Sequence, residues 1–172
     1  MAGWNISKKT GKFFPSVLRA GALLLLTVFL ATPGPADEKK LEKAIQLIDQ
    51  NNDGEALSLL QELLQENPND PRVLHALGRI YRSRKQYKEA IELFERAVQI
   101  KPSGRGYYSL ALLYEAMSVD PAGKDQEGVW LKKAQEAWSK FLGIQPQDSR
   151  KEEVARRHLE HLKVQIQELS LK

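Results

Sequence analysis

The chain contains no cysteine. That excludes disulfides, a cysteine nucleophile, a cysteine-ligated zinc site and the lipid-modified cysteine of a mature bacterial lipoprotein. The sequence also lacks a glycine-rich phosphate loop and any metalloprotease spacing of histidines. Its carboxylates are scattered, with no pair placed for acid–base work. His158 and His161 stand three residues apart beside Glu160, but no third ligand is near in sequence. They are expected to be ordinary exposed histidines. These absences point away from an enzyme, and no catalytic residue, metal or cofactor is expected.

Acids are missing from one region. Residues 1–36 carry Lys8, Lys9, Lys12 and Arg19 and no Asp or Glu. The remainder holds 22 basic and 22 acidic residues, so the formal net charge of +4 belongs entirely to this segment. A neutral body has no general field to draw in a polyanion, so nucleic acid is not an expected partner. Long apolar runs are missing too. The run over residues 20–31 is shorter than the roughly 20 residues of a spanning helix. A basic start, a short apolar middle and small residues before a polar body read as a secretory signal. Cleavage after Ala36 would set Gly34 and Ala36 at the recognition positions. Extending the run back to Val17 takes in Arg19 and gives the other reading, an uncleaved N-terminal anchor. Either way the basic end stays inside. The body is then exported, periplasmic or held on the outer face of the inner membrane. It would meet the membrane only through this segment, if uncleaved.

What the rest of the chain has is a repeat. Ala56, Ala90 and Ala134 each precede a bulky residue by four: Leu60, Phe94 and Trp138. Leu63, Ala97 and Phe141 follow three later, and Pro68, Pro102 and Pro146 close each unit. The first two copies are offset by 34 residues and the second and third by 44. Upstream, Ala44, Gly78 and Ala111 share a position, with Leu47, Tyr81 and Tyr114 three residues on. The third unit carries 11 extra residues between its halves. Apolar residues at three- and four-residue spacing make one buried stripe per helix. Small residues at Gly78 and Ala90 let paired helices approach. The Asn67-Pro68-Asn69-Asp70-Pro71 cluster ends one helix and starts the next.

The register resembles the tetratricopeptide repeat, whose pattern spaces Leu-Gly, Tyr, Ala, Phe and Pro over about 34 residues. The unit over 71–104 matches at Leu74, Leu77, Gly78, Tyr81, Tyr87, Ala90, Phe94, Ala97 and Pro102. The unit over about 37–70 departs from the pattern, with Lys40 and Lys43 where large apolar residues are usual. The third, over 104–148, has Tyr107, Leu110, Ala111 and Tyr114. Its insertion near 117–129, rich in Pro, Gly and charge, is expected to be a loop. The tail over 149–170 reads as an amphipathic capping helix with Val154, Leu159, Leu162, Ile166 and Leu169 on its stripe. Ser149 is its expected N-cap, with Glu152 completing a capping box. The expected fold is all-α: a right-handed solenoid of about three tetratricopeptide-repeat helix pairs over 37–172, closed by that helix.

Such a resemblance implies a binding face lined by the first helix of each unit. In the second unit these residues are Arg72, His75, Arg79 and Arg82, one helix face by their spacing. Arg105, Tyr108 and Leu112 follow in the third, and Leu41, Ile45 and Ile48 are their equivalents in the first. This predicts a groove with an apolar end and a basic middle, suited to an acidic or amphipathic peptide. The competing expectation is a solvated face of arginines paired with neighbouring acids. Some cytoplasmic members of the family clamp a terminal carboxylate with a Lys/Asn/Arg set. Here Leu41, Ile45, Ala76 and Ser109 stand at matching positions, so that clamp is not expected. The last repeat and tail, at Ala134, Trp138, Leu142, Pro146 and Arg150, are similar to periplasmic repeat proteins of cytochrome c maturation. The expectation is a non-enzymatic protein–protein adaptor of the bacterial envelope. The alternative is a structural or self-associating scaffold without a peptide ligand, which a size measurement with and without the terminal helix would separate.

Overall fold

Every interruption between the helices falls where the sequence changes from apolar periodicity to polar or breaker residues. The computed structural model describes residues 34–121, 123, 126–144 and 148–171. The expected signal or anchor segment therefore lies almost wholly outside the described residues. Seven helices are described: α1 (Pro35–Asp49), α2 (Asp53–Glu66), α3 (Pro71–Ser83), α4 (Tyr87–Ile100), α5 (Gly104–Val119), α6 (Glu127–Gly143) and α7 (Ser149–Ser170). There is no strand among the described residues. Each helix packs on the next, and α1 also touches α3, as stacked helix pairs require. The result is the expected all-α solenoid.

The repeat landmarks are the core. Ala56, Leu60, Ala90, Phe94, Ala134 and Trp138 are wholly buried, and Leu63, Ala97 and Phe141 nearly so. Gly78 is buried for a geometric reason: a Cβ there would come within 2.8 Å of the Phe94 ring. The absent side chain is what lets α3 and α4 close on each other. The turns inside the first two pairs also repeat. Asn51 and Lys85, 34 residues apart in numbering, both take a left-handed backbone with φ near 60°. Lys40 and Lys43 bridge α1 to α2 through Glu62 and Glu66, and through Glu55, so ion pairs stand where the repeat pattern has apolar contact. Pairs this exposed are screened by water and add little to stability.

Side-chain caps start three helices. Asp70 accepts from the Arg72 amide at 2.8 Å to open α3, and Ser103 accepts from Gly106 to open α5. The tail begins differently from expectation. The N-cap of α7 is Asp148, which accepts from the amides of Arg150 and Lys151, and Ser149 is already helical. A carboxylate one residue earlier is as good an acceptor and adds charge favourable to the helix N-terminus. Of the expected stripe, Leu162 is buried, while Val154, Leu159, Ile166 and Leu169 are partly covered. Ala155 is the other buried residue of α7. The inserted loop is also shorter than expected. Helix α5 runs to Val119, burying Met117 and Ser118, and α6 starts at Glu127. Most of the extra length extends helices that pack on each other.

Gly106 gives a first test. A Cβ at this position would lie 2.3 Å from Val98 Cγ1 and 3.1 Å from the Ser103 cap hydroxyl. Alanine gains up to about 1 kcal/mol of helix propensity but overpacks against a stiff, buried valine at about 1–3 kcal/mol. Gly106→Ala should therefore lose about 1–2 kcal/mol in urea unfolding. Gly54→Ala should not, because nothing lies within 4 Å of that Cβ. Equal midpoints for the two variants would contradict the packing described.

Candidate functional site

Helical spacing brings side chains from α1, α3 and α5 onto one groove. Two adjoining cavities make it up, of about 380 Å³ and about 730 Å³. They share Ile45, His75, Arg79 and Arg105, so they form one continuous surface. The smaller end is walled by Leu41, Ile45 and Ala76, with Arg72 at its edge. The larger end adds Arg82, Tyr108 and Ser109. The end of α6 supplies Phe141 and Ile144, and the start of α7 supplies Asp148 and Lys151. Leu41, Ile45 and Asp49 sit four residues apart on α1, one face of one helix.

Two expected lining residues line neither cavity. Ile48 is 8% exposed and belongs to the core formed by α1, α2 and α3. Leu112 packs, partly buried, against the core of α4 to α7. On α5 the groove face ends at Tyr108 and Ser109; one turn later Leu112 has turned inward. The groove also contains residues that the first-helix pattern does not supply. Asp49 could have been found one turn beyond Ile45. Nothing local in the sequence signals that Phe141, Ile144 and Lys151 return to this face.

The basic residues differ in their surroundings. Arg72 donates to Glu38 at 2.7 Å and to both oxygens of Asp70. Burial pushes the Asp70 carboxyl up, but the Arg72 hydrogen bonds win and hold it below the usual carboxylate range. Arg79 donates to Asp49 across the α1–α3 seam. Lys151 lies 3.5 Å from Asp148 and over the Tyr108 ring. Arg82 and Arg105 have no acid within ion-pair distance among the described residues. Burial, then the neighbouring Arg79, lowers the Arg82 pKa, with Tyr108 opposing.

His75 sits at the junction of the two cavities. Its ring leans on Phe94, centroids 4.9 Å apart, and its Nε2 is 3.3 Å from Ser109 Oγ. Burial and the cations of Arg105, Arg79 and Arg82 push it down to about 4, against a backbone hydrogen bond with Arg105. It is therefore neutral at ordinary pH and offers the groove a hydrogen bond without a charge.

Comparison with known sequences and folds adds to this geometry. A sequence model of the tetratricopeptide repeat matches residues 47–113, from the last turn of α1 into α5. The solved tetratricopeptide-repeat domain of Sgt2 from Aspergillus fumigatus superposes with a TM-score of 0.60. The fold is a tetratricopeptide-repeat solenoid. The likeness to that domain covers 82% of this chain and 85% of the other at 21% identity, so it speaks for the fold. Comparison with curated protein sequences returns no match. In tetratricopeptide-repeat terms the groove is lined by the first helix of each pair, with α7 closing its far end.

Beside the apolar packing of α7, one carboxylate links three helices at this end. Glu115 of α5 accepts from the Trp138 indole of α6 and lies 2.8 Å from His158 Nδ1 of α7. The His158 ring also packs on Trp138, centroids 5.0 Å apart. His158 is thus a partly buried tether and not the exposed histidine expected from sequence. No cluster of three or more His, Cys, Asp or Glu that could hold a metal occurs among the described residues. No helix among them is long and apolar enough to cross a membrane.

Proposed function

We propose that this chain is a non-enzymatic protein–protein interaction adaptor that holds an acidic or amphipathic segment of a partner in the groove across α1, α3 and α5. Tetratricopeptide-repeat folds generally serve protein–protein interaction, and the groove is the surface such a role needs. The observation that carries the reading is the meeting of an apolar wall, Leu41, Ile45 and Ala76, with a basic wall, Arg79, Arg82 and Arg105. An amphipathic segment can satisfy both walls at once. The basic and apolar N-terminal sequence supports placing the adaptor in the bacterial envelope, where it would help assemble a complex outside the cytoplasm. The resemblance of Ala134, Trp138, Leu142, Pro146 and Arg150 to periplasmic repeat proteins supports cytochrome c maturation as the narrower role.

Affinity capture of the tagged full chain from its native envelope tests this. Reversal of Arg79 and Arg82 to Glu should weaken a captured partner by about tenfold or more, with helicity unchanged. Capture that survives the reversal undiminished overturns the groove reading. Recovery of partners without any apocytochrome overturns the narrower role alone.

A further inference from the structure

The charges of the groove do not cancel, and the remainder has a definite place. Arg72 is more than balanced by Asp70 and Glu38, while Arg79 is balanced by Asp49 and Lys151 by Asp148. At the apolar end, Lys101 and Glu42 are both exposed, one charge of each sign. Arg82 and Arg105 remain, both on the wall of the larger cavity, with no acid within ion-pair distance among the described residues. Arg105 is exposed, whereas Arg82 is partly buried, and partly burying a guanidinium without a counter-charge is unfavourable unless a ligand supplies one. His75, neutral and hydrogen-bonded, adds no compensating charge. The nearby Tyr108 hydroxyl is a further hydrogen-bonding group.

We infer that the groove selects a peptide in which an apolar side chain is followed by a pair of carboxylates: the apolar group lies on Leu41, Ile45 and Ala76, and the carboxylates meet Arg82 and Arg105. This rests on the groove reading and sharpens it. Guanidinium groups bind carboxylates through parallel charge-assisted hydrogen bonds, so each arginine can seat one acid. Because the two cavities share Ile45, His75, Arg79 and Arg105, one short segment reaches both. Arg72 and Arg79, already paired, act as fixed walls that place the incoming acids beyond them.

The test uses the full chain and fluorescence anisotropy with a labelled synthetic peptide carrying a Leu-Leu pair ahead of an Asp-Asp pair. The same peptide with Asn-Asn is the control. The Asp peptide should bind about tenfold or more tightly than the Asn peptide. Arg82→Gln and Arg105→Gln should each lose about tenfold for the Asp peptide and little for the Asn peptide. Arg156→Gln, on α7 and lining neither cavity, should change binding less than about threefold. Lys8→Gln, Lys9→Gln and Lys12→Gln together should leave the preference intact, which shows that the acids are not held by the basic N-terminal segment. Equal binding of both peptides, or equal sensitivity to Arg156 and Arg82, overturns the inference while leaving the groove in place if Ile45→Ser still weakens both peptides. Binding indifferent to Ile45→Ser and to every arginine overturns the groove reading itself. Circular dichroism of each variant separates lost binding from lost fold.

Discussion

Trp138→Ala should destabilise the protein by about 3–5 kcal/mol in urea unfolding, a large share of the roughly 5–15 kcal/mol that holds a domain of this size folded. Trp138 is the largest wholly buried side chain among the described residues. Its ring meets Tyr108 edge-on at 5.1 Å, Phe141 at 6.0 Å and His158 at 5.0 Å. Alanine would leave a cavity touching α5, α6 and α7 together. It would also remove the indole N–H from Glu115, a partly buried carboxylate that ties α5 to α7. Trp138→Phe separates the two contributions. It fills most of the space and loses chiefly the hydrogen bond, so about 1–2 kcal/mol is expected. Tyr108 and Phe141 also line the groove, so the alanine variant should bind groove ligands more weakly even where it remains folded. A loss below about 1 kcal/mol for Trp138→Ala would show that α7 is not held through this residue.

The second large effect is in pH. His75 has its pKa lowered from 6.5 to about 4 by burial and by Arg105, Arg79 and Arg82. The unfolded chain therefore takes up a proton near pH 6.5 that the folded chain refuses until about pH 4. Between those values the unfolded state binds more protons, so stability rises with pH. The contribution is fully present above pH 6.5, declines as pH falls through that window, and is gone below about pH 4. It amounts to about 3 kcal/mol. Asp70 also weakens on acidification, because its carboxyl is held low by Arg72. The comparison must therefore be with His75→Gln, which keeps Asp70 and keeps a side chain able to hydrogen-bond Ser109. Urea midpoints of the wild type should fall more steeply than those of His75→Gln between pH 6.5 and pH 4. Parallel profiles would show that His75 is protonated as easily in the fold as out of it.

Much of the architecture is legible along the chain because it depends on close neighbours. Ala56, Leu60 and Leu63, with their counterparts around Phe94 and Trp138, recur at helical spacing and all are buried. Gly78 is small because Phe94, one helix on, occupies the space. Where an expectation missed by a residue or a turn, a second local solution was equally good. Asp148 caps α7 in place of Ser149, and helix extension absorbed most of the 117–129 insertion.

The candidate site divides differently. Spacing on α3 and α5 is enough to place His75, Arg79, Arg82, Arg105 and Tyr108 on the groove. Spacing misplaces Ile48 and Leu112, because a turn of helix can face a neighbour or the groove depending on how the pairs stack.

The sequence by itself determines that the chain repeats, where its helices pair, and which small and large residues meet, since these follow from periodicity and side-chain volume. Only the tertiary structure decides which cations are neutralised. Arg72 meets Glu38 and Arg79 meets Asp49 across neighbouring repeats, 34 and 30 residues away, while Arg82 and Arg105 meet no described acid. Tertiary packing likewise turns His158 from a surface residue into a tether on Glu115. Charge pairing depends on distances of a few ångströms between separate helices, and a linear pattern does not carry those distances.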